Sequence, residues 1–546
     1  LATEILVTYL KEDFSKAPVG PELVRGYRGG YLPLERREIE RDLREGRLLA
    51  VVATNALELG IDIGSLDVAV LAGYPGGIAS TWQRVGRAGR RQGTSAAVMV
   101  ASSAPLDQFI VNNPDYFFGQ SPEHGYVNPD NLQVLLNHLK CAAFELPLGE
   151  EEKFGSLDLK LLCKHLEEVG FLHHSSDGWH WVSESYPADA ISLRSVSSDN
   201  FVIVDTTNEP RGTGVPPVSA TARVAVPRVI GEVDFSSALT TVHEKAIYIQ
   251  EGIQYHVERL DYDDRKAYVH WVDSEYYTDA ISYTKIKILE TFDSSPVARS
   301  EEERGKGKKG EEGKREEPLS PFPLLPPSPS SQQCRAPKPE PRTPTRNHGE
   351  VRVNTQVVGF KKIKFHTNEN VGSGELTLPE QEMHTTAYWL TLPYEMLEAL
   401  PYSSTDRQDG VRGLGNALRA IATLLVMCDA RDLGVAVGEN QAEWEKGKRE
   451  KGEMGQQSKI QNLKYKIFEP NIYLYDKYPG GVGFSEPLYR MNDSLLANTL
   501  RLIEKCHCQT GCPSCVGPAG EVGERGREVA LAILKAVVSG PGRGQP

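Results

Sequence analysis

The chain has 546 residues, of which 39% are hydrophobic and 25% charged, and a formal net charge of -13. Its length exceeds what one hydrophobic core usually serves and predicts three to four domains. No apolar run approaches the roughly 20 residues of a membrane helix, the start LATEILVTYL lacks the basic and small-residue flanks of a signal peptide, and a basic field over the whole protein is excluded. Leu1 replaces an initiator Met and opens directly on apolar sequence, which suggests a chain cut part-way through a larger protein.

Residues 1–105 alternate strand and helix signals. Leu34 to Glu45 is predicted as a charged amphipathic helix, with Leu34, Ile39 and Leu43 on its apolar side and Gly46 at its end. LLAVVA (48–53) reads as a buried strand, DVAVLAG (67–73) as a second and AAVMVA (96–101) as a third. A helix is predicted over Ala79 to Arg91. Short apolar strands separated by helices imply a parallel sheet in an α/β domain.

Residues 128–170 are predicted mainly helical. LDLKLLCKHLEEVG (157–170) is a helix closed by Gly170, and FLHHSSDGWHWV (171–182) gives two short strands about an Asp177-Gly178 turn. A winged helix fits this pattern, as does a plain helical hairpin with a β-extension. Residues 186–292 are β-rich, with strands at 201–205, 246–250, 255–262 and 266–272 and a hairpin turn at Asp263-Asp264. The stretch 296–348 mixes both charges with glycine and then turns proline-rich, so it reads as a disordered linker. Residues 443–459 share that composition and are expected to loop out of the last domain. Either segment is a solvated spacer or an electrostatic tether. Globular character resumes at 349–540, with a long helix over 412–434, a strand and then glycine-rich turn over 471–489, and an amphipathic helix over 493–506 with Asp493 as its N-cap.

Two segments carry specific chemistry. ATNALELGIDIG (53–64) follows a strand, and QRVGRAGRR (83–91) ends a helix about 20 residues later. Phosphoryl transfer needs positive charge on the departing γ-phosphate. Arginine suits this because its planar fork stays charged and binds phosphate bidentately. Arg87 and Arg90 are three apart, so one helical face presents both, exposed on one edge of the domain. An arginine-rich solvated helix end is the plainer alternative. No G-x-x-x-x-G-K-[ST] loop and no D-E-x-H occurs in the sequence.

The third signal is Cys506, Cys508, Cys512 and Cys515, four of the eight cysteines within ten residues. Four thiolates suit a tetrahedral zinc site, with an iron–sulfur cluster as the second reading and two disulfides as the third. In a long chain without a signal, metal ligands come before disulfides, and the compartment reads as a reducing cytoplasm. His507 is expected to point to solvent. The helix that ends at Cys506 is expected to be pinned by the ion to the turn around Gly480 and Gly481.

The first two segments resemble motifs V and VI of superfamily 2 helicases, and YRGGY (27–31) resembles an upstream element of the same second RecA-like lobe. With YPADAISLRS (186–195) and the terminal YDKYPGGVGF and four-cysteine run, the chain resembles the mitomycin-repair helicases of the MrfA type, related to RecQ-four-like helicases. The resemblance implies an α/β architecture: a RecA-like second helicase lobe (1–125), a helical and winged-helix region (126–185), a β-rich domain (186–295), a disordered linker or insertion (296–348), and a zinc-binding α+β domain (349–540) with a charged insertion at 441–459. It implies that Arg87 and Arg90 act on the ATP γ-phosphate, with Gln83 at the lobe interface and Gly60 and Asp62 by the nucleotide. Arg28, Gly29 and Thr54 would lie by nucleic acid. The implied ligands are ATP with magnesium, zinc, and DNA that is single-stranded or 3′-tailed; the implied activity is 3′-to-5′ translocation in repair. The implied partner is a first RecA-like lobe in cis or in trans, and no membrane. Two other readings stay open: a non-enzymatic DNA-binding module, and one subunit of a split motor. The sequence upstream of Leu1 discriminates among the three.

Overall fold

The computed structural model describes residues 1–18, 20–58, 66–89, 94–122, 128, 130–153, 157–191, 200–207, 227–297, 342–440, 443–449, 460–466 and 469–539. Among the described residues, no helix is long and apolar enough to cross a membrane.

Helix α1 (Ala2–Ser15) packs on strand β1 (Val24–Tyr27), which pairs in parallel with β2 (Ala50–Ala53). Helix α2 (Pro33–Arg44) starts on a proline, whose missing N–H is one the first turn leaves unbonded anyway, and stops before Gly46 at φ +73°. Ile39 is buried and Leu43 packs beside it, but Leu34 is 77% exposed. Five residues are about 140° around a helix of 3.6 residues per turn, so Leu34 cannot share the face of Ile39, against expectation. β3 (Val68–Ala72) pairs in parallel with β4 (Ala96–Val100), and α3 (Ile78–Val85) lies between them in sequence. Among the described residues these remain two separate parallel pairs, where one sheet was expected. Ala50–Ala53 is partly exposed, not buried.

After α4 (Pro105–Asn112) and α5 (Pro114–Gly119), α6 (Leu132–Glu145) and α7 (Leu159–Glu168) pack with the hairpin β5 (Leu172–Ser175) and β6 (Gly178–Trp181) around Leu135, Leu139, Leu162, Leu166 and Trp179. Gly170 at φ +82° and Gly178 at φ +137° make the two changes of direction the sequence predicts.

Strands β7 (Asn200–Asp205), β8 (Arg228–Asp234), β9 (Ile247–Gln250), β10 (Ile253–Asp261) and β11 (Lys266–Trp271) form a sheet in the order β8-β7-β11-β10-β9, with α8 (Phe235–Thr241) between β8 and β9 in sequence. Its core is Phe201, Ile203, Tyr255, Val257 and Val269. The lobe is held to this sheet by Glu251, whose carboxylate accepts from Arg25 Nε at 3.0 Å, Gly26 N at 3.0 Å and Lys11 Nζ at 3.1 Å.

The last unit is built on β12 (Tyr276–Pro296), β13 (Thr345–Lys364), β14 (Asn370–Glu375), β15 (Gln381–Thr391), β16 (Leu433–Asn440) and β19 (Glu469–Asp476), ordered β12-β13-β15-β19-β16 with β14 on β13. The strand β12, read from sequence as the end of the β-rich stretch, pairs along β13 from Tyr276 to Pro296. Thr345 to His348, expected in the linker, are strand; residues 298–341 lie outside the described residues. β17 (Glu443–Arg449) and β18 (Ile460–Lys466) form a hairpin where 443–459 was expected to be an unstructured loop. Residues 443–449 of that segment are strand, and 450–459 lie outside the described residues.

Helices α9 (Tyr394–Glu398), α10 (Ser404–Leu425), α11 (Ser485–Arg490), α12 (Asn492–Lys505), α13 (Ala519–Val522) and α14 (Gly526–Ser539) cover one side of this sheet, burying Tyr388, Leu390, Ile472 and Leu474 against Leu414, Leu418, Leu495 and Ile533. The long helix was expected at 412–434. It starts eight residues earlier because Ser403 and Asp406 form a reciprocal capping box, and it stops before Met427 at φ +53°. Asp493 is not the N-cap of α12: it lies inside the first turn, Met491 holds the cap position, and no side chain caps it.

Candidate motor segment, winged helix and metal centre

The arginine segment is entered through Gly73, Tyr74, Pro75, Gly76 and Gly77. Asp107, buried in α4, accepts from Tyr74 N at 2.8 Å and Ser102 N at 2.7 Å, tying together the segments that follow the C-terminal ends of β3 and β4. Gly76, at φ +96°, lies so close to the turn after α10 that a Cβ would sit 2.6 Å from Asp429 Cα and Cys428 O.

Helix α3 stops at Val85, six residues short of expectation. The chain then turns: Ala88 bridges Leu66, and Gly89, at φ +80°, donates its N–H to Leu66 O at 3.0 Å. A glycine at that φ cannot continue a helix. Arg87 is therefore on a turn beyond the end of α3, not on the helix. It is half-buried and donates to the carbonyl of Glu58, while Arg84 pairs with the Glu58 carboxylate, which also accepts from Ser80 Oγ at 3.2 Å. Glu58 thus joins the two sequence motifs, a role the sequence reading missed although the residue stands inside ATNALELG. Arg90, Gly60 and Asp62 lie outside the described residues.

Gln83 is exposed on α3. Thr54 caps the short turn at Asn55–Leu57, its Oγ1 accepting from Ala56 N at 3.4 Å. Gly29 is exposed with open space around it. Arg28 turns inward: Nε donates to Glu4 at 2.6 Å and Nη2 to Tyr248 Oη at 2.6 Å, and the guanidinium stacks over Tyr31. Burial works against that charge, but Tyr248 and Glu4 outweigh it and hold the guanidinium protonated. Arg28 is thereby a strut between α1 and the β7–β11 sheet.

Asn131 is a junction. Its Oδ1 caps α6 by accepting from Gln133 N and Val134 N at 3.1 Å, and its Nδ2 donates to Pro479 O at 3.1 Å and Gly481 O at 2.7 Å. The turn it grips is held from the other side by buried Asp476, which accepts from Val482 N at 2.8 Å, Gly483 N at 3.0 Å and Phe484 N at 3.3 Å.

The four sulfurs of Cys506, Cys508, Cys512 and Cys515 all lie within 4.8 Å of one another, with neighbouring pairs at 3.5 to 3.7 Å. Zn–S bonds of about 2.3 Å in a tetrahedron place sulfurs about 3.8 Å apart, so the cage is close to the size zinc needs. All four are free of disulfides. Gly511 and Gly517 take positive φ to turn the chain about the cage. Burial pushes the Cys515 thiol up to about 11, a cost to the thiolate that a divalent cation offsets. His507 is exposed and outside the cluster, as expected. The cluster packs on α10 and α14, not on the turn at Gly480 and Gly481. Asn416 Nδ2 donates to Val516 O at 3.1 Å, and Arg527 N donates to Thr510 O at 2.8 Å. Gly480 and Gly481 meet Asn131 and Thr386 instead.

Three family models match the chain: the helicase conserved C-terminal domain over residues 10–92, the winged helix domain of ATP-dependent helicase HRQ1 over 127–196, and the MrfA Zn-binding domain over 414–516. The chain is 40% identical over 538 residues to the uncharacterized ATP-dependent helicase YprA of Bacillus subtilis, covering 97% of this chain and 59% of that protein. It is 28% identical over 509 residues to ATP-dependent helicase HRQ1 of Saccharomyces cerevisiae, covering 90% of this chain and 40% of the relative. The crystal structure of the DUF1998 helicase MrfA bound to DNA matches with a TM-score of 0.60 and 39% identity, over 98% of this chain and 60% of that one. MrfA bound to DNA and AMPPNP matches at 0.57. The chain thus spans about three-fifths of the length of these nearer relatives. A helicase conserved C-terminal domain, an HRQ1-type winged helix and an MrfA Zn-binding domain with its four-cysteine cluster thus follow one another along the chain. More particularly, the chain is close to the MrfA DUF1998 helicase and to YprA.

Proposed function

We propose that this chain supplies the second motor lobe, the DNA-engaging modules and the zinc domain of an ATP-dependent DNA helicase that translocates 3′ to 5′ and acts in DNA repair. The observation that carries the reading is the likeness along 98% of the chain to MrfA bound to DNA. In this reading Arg87 and Arg90 face the γ-phosphate of ATP held with magnesium on a first lobe. Release of Arg87 from the Glu58 carbonyl on lobe closure would place a guanidinium on developing negative charge, where it acts on the transition state. Gln83, exposed on α3, suits the lobe interface, and Gly60 and Asp62 the nucleotide. Thr54 and Gly29, both on the lobe surface, suit contact with the DNA backbone. Cys506, Cys508, Cys512 and Cys515 hold one zinc ion. Four thiolates leave no open position for water, so the ion is structural.

The test is DNA-stimulated ATP hydrolysis by the full-length protein and its Arg87→Ala and Arg90→Ala variants. The expected result is a large fall in kcat with DNA binding retained. Unchanged turnover in both variants overturns the arginine assignment.

A further inference from the structure

The six-stranded sheet is covered unequally along one face. Where that face carries Tyr388 and Leu390 it lies under helices. A few residues further along, the same face presents Arg352, Asn354 and Gln356 on β13, His384 and Glu382 on β15, and Tyr283, Lys285 and Lys287 on β12, and none of these is buried. β12 is an edge strand, and its alternate residues Ile286 and Ile288 turn to the other face, onto Val351 and Val353.

The charges here are placed against the sheet's own stability. Lys287 stands directly opposite Arg352, and like charges directly across a strand pair are destabilising. Arg352 is partly offset by Glu382 at 3.6 Å, which also lies 3.3 Å from His384, and Glu350 lies 3.8 Å from His384. Among the described residues, neither Lys285 nor Lys287 has a carboxylate within ion-pair distance. Alternate residues of a strand are about 6.7 Å apart. That step is of the order of the distance between successive phosphates of one strand, and a row of cations with an aromatic ring beside it suits a single strand, whose bases are free to stack. Tyr283, 66% exposed, stands one further step along with its ring free for stacking. The patch also borders the winged-helix junction: Gly480 N donates to His384 O at 2.8 Å, one residue from the Gly481 carbonyl that Asn131 grips.

We propose that this open end of the sheet, with Lys285, Lys287, Arg352 and Tyr283, is a track for the backbone of single-stranded DNA. The inference rests on the DNA-binding reading above and names a surface for it. The test is fluorescence anisotropy of a labelled oligothymidylate with the full chain over a range of salt concentrations. Each phosphate neutralised on a single strand contributes about 0.7 to the slope of log K against log salt. Lys285→Ala with Lys287→Ala should therefore bind more weakly and with a slope shallower by about 1.4. Tyr283→Ala should lose about tenfold in affinity at every salt concentration with the slope unchanged. Melting temperatures of the variants should not fall, because the lysines repel within the sheet. Unchanged affinity and slope in the lysine double variant, with wild-type binding intact, overturns the surface and leaves the helicase reading standing. No salt-dependent binding by the wild type overturns both. A loss confined to blunt duplex overturns the single-strand assignment.

Discussion

Removing the Glu251 carboxylate should open the contact between the motor lobe and the β7–β11 sheet. Glu251 is nearly buried and receives three donors: Gly26 N, Arg25 Nε and Lys11 Nζ. In Glu251→Ala the buried Gly26 N–H loses its acceptor, which costs about 1–3 kcal/mol. The two cations lose less. Arg25 keeps Glu35 at 3.6 Å, Lys11 keeps the Glu251 carbonyl at 2.7 Å, and both side chains are about a quarter exposed, so roughly 0.5 kcal/mol each is reasonable. The sum is about 3 kcal/mol, or about a hundredfold in a local opening equilibrium. Glu251→Gln keeps an acceptor for Gly26 and should lose only about tenfold, the charged part of the contact. Hydrogen exchange at the Gly26 and Tyr27 amides reads this directly, because a chain of several units does not unfold in one step. Exchange in Glu251→Ala equal to that of the wild type would refute the reasoning. So would acceleration spread evenly into α10, which would show general destabilisation.

Metal analysis should find about one zinc per chain, and Cys512→Ser should loosen residues 506–527 and their contacts with α10 and α14 while the motor lobe stays folded; iron with sulfide, or full protease resistance after chelation, would contradict this. The chain by itself should not hydrolyse ATP, and joined to a first lobe it should do so with Arg87→Ala lowering kcat by about a hundredfold or more. DNA-stimulated hydrolysis by the chain alone would count against that arrangement. Gly76→Val should separate the α3 loop from the turn at Cys428 and Asp429, since the φ is unsuited to a branched residue and its Cβ has no room. Faster exchange at residues 74–78 and 427–429 is the expected reading, and an unperturbed melting temperature with unchanged exchange would sink it.

The local grammar of the chain was largely legible. The strand pair about Asp177-Gly178, the four strands between 201 and 272 and the sulfur cage all follow from turn residues, alternation and spacing within a few positions. What sequence reasoning missed depended on partners distant in the chain. The end of α3 is set by Gly89 bonding back to Leu66, which no helical period reveals. Arg28 reads as a surface cation until Tyr248, 220 residues away, is seen to hold it. The start of α10 was missed because Gly410 stands ahead of the predicted start. It is instead a close-contact point of the helix, where a Cβ on Gly410 would strike Val529 at 2.5 Å.

The closure of the β12–β13 pair has a practical consequence. Pro296 pairs with Thr345, and Val297 N donates to Pro344 O at 2.9 Å, so the chain leaves the sheet and returns to it at adjacent points. The cost of closing such a loop grows only with the logarithm of its length, about 0.6 kcal/mol per doubling. The sheet is therefore indifferent to what is spliced between 298 and 341. An affinity handle, a fluorophore-bearing peptide or a folded reporter whose ends lie close together can be inserted there without a change of register in the strands on either side.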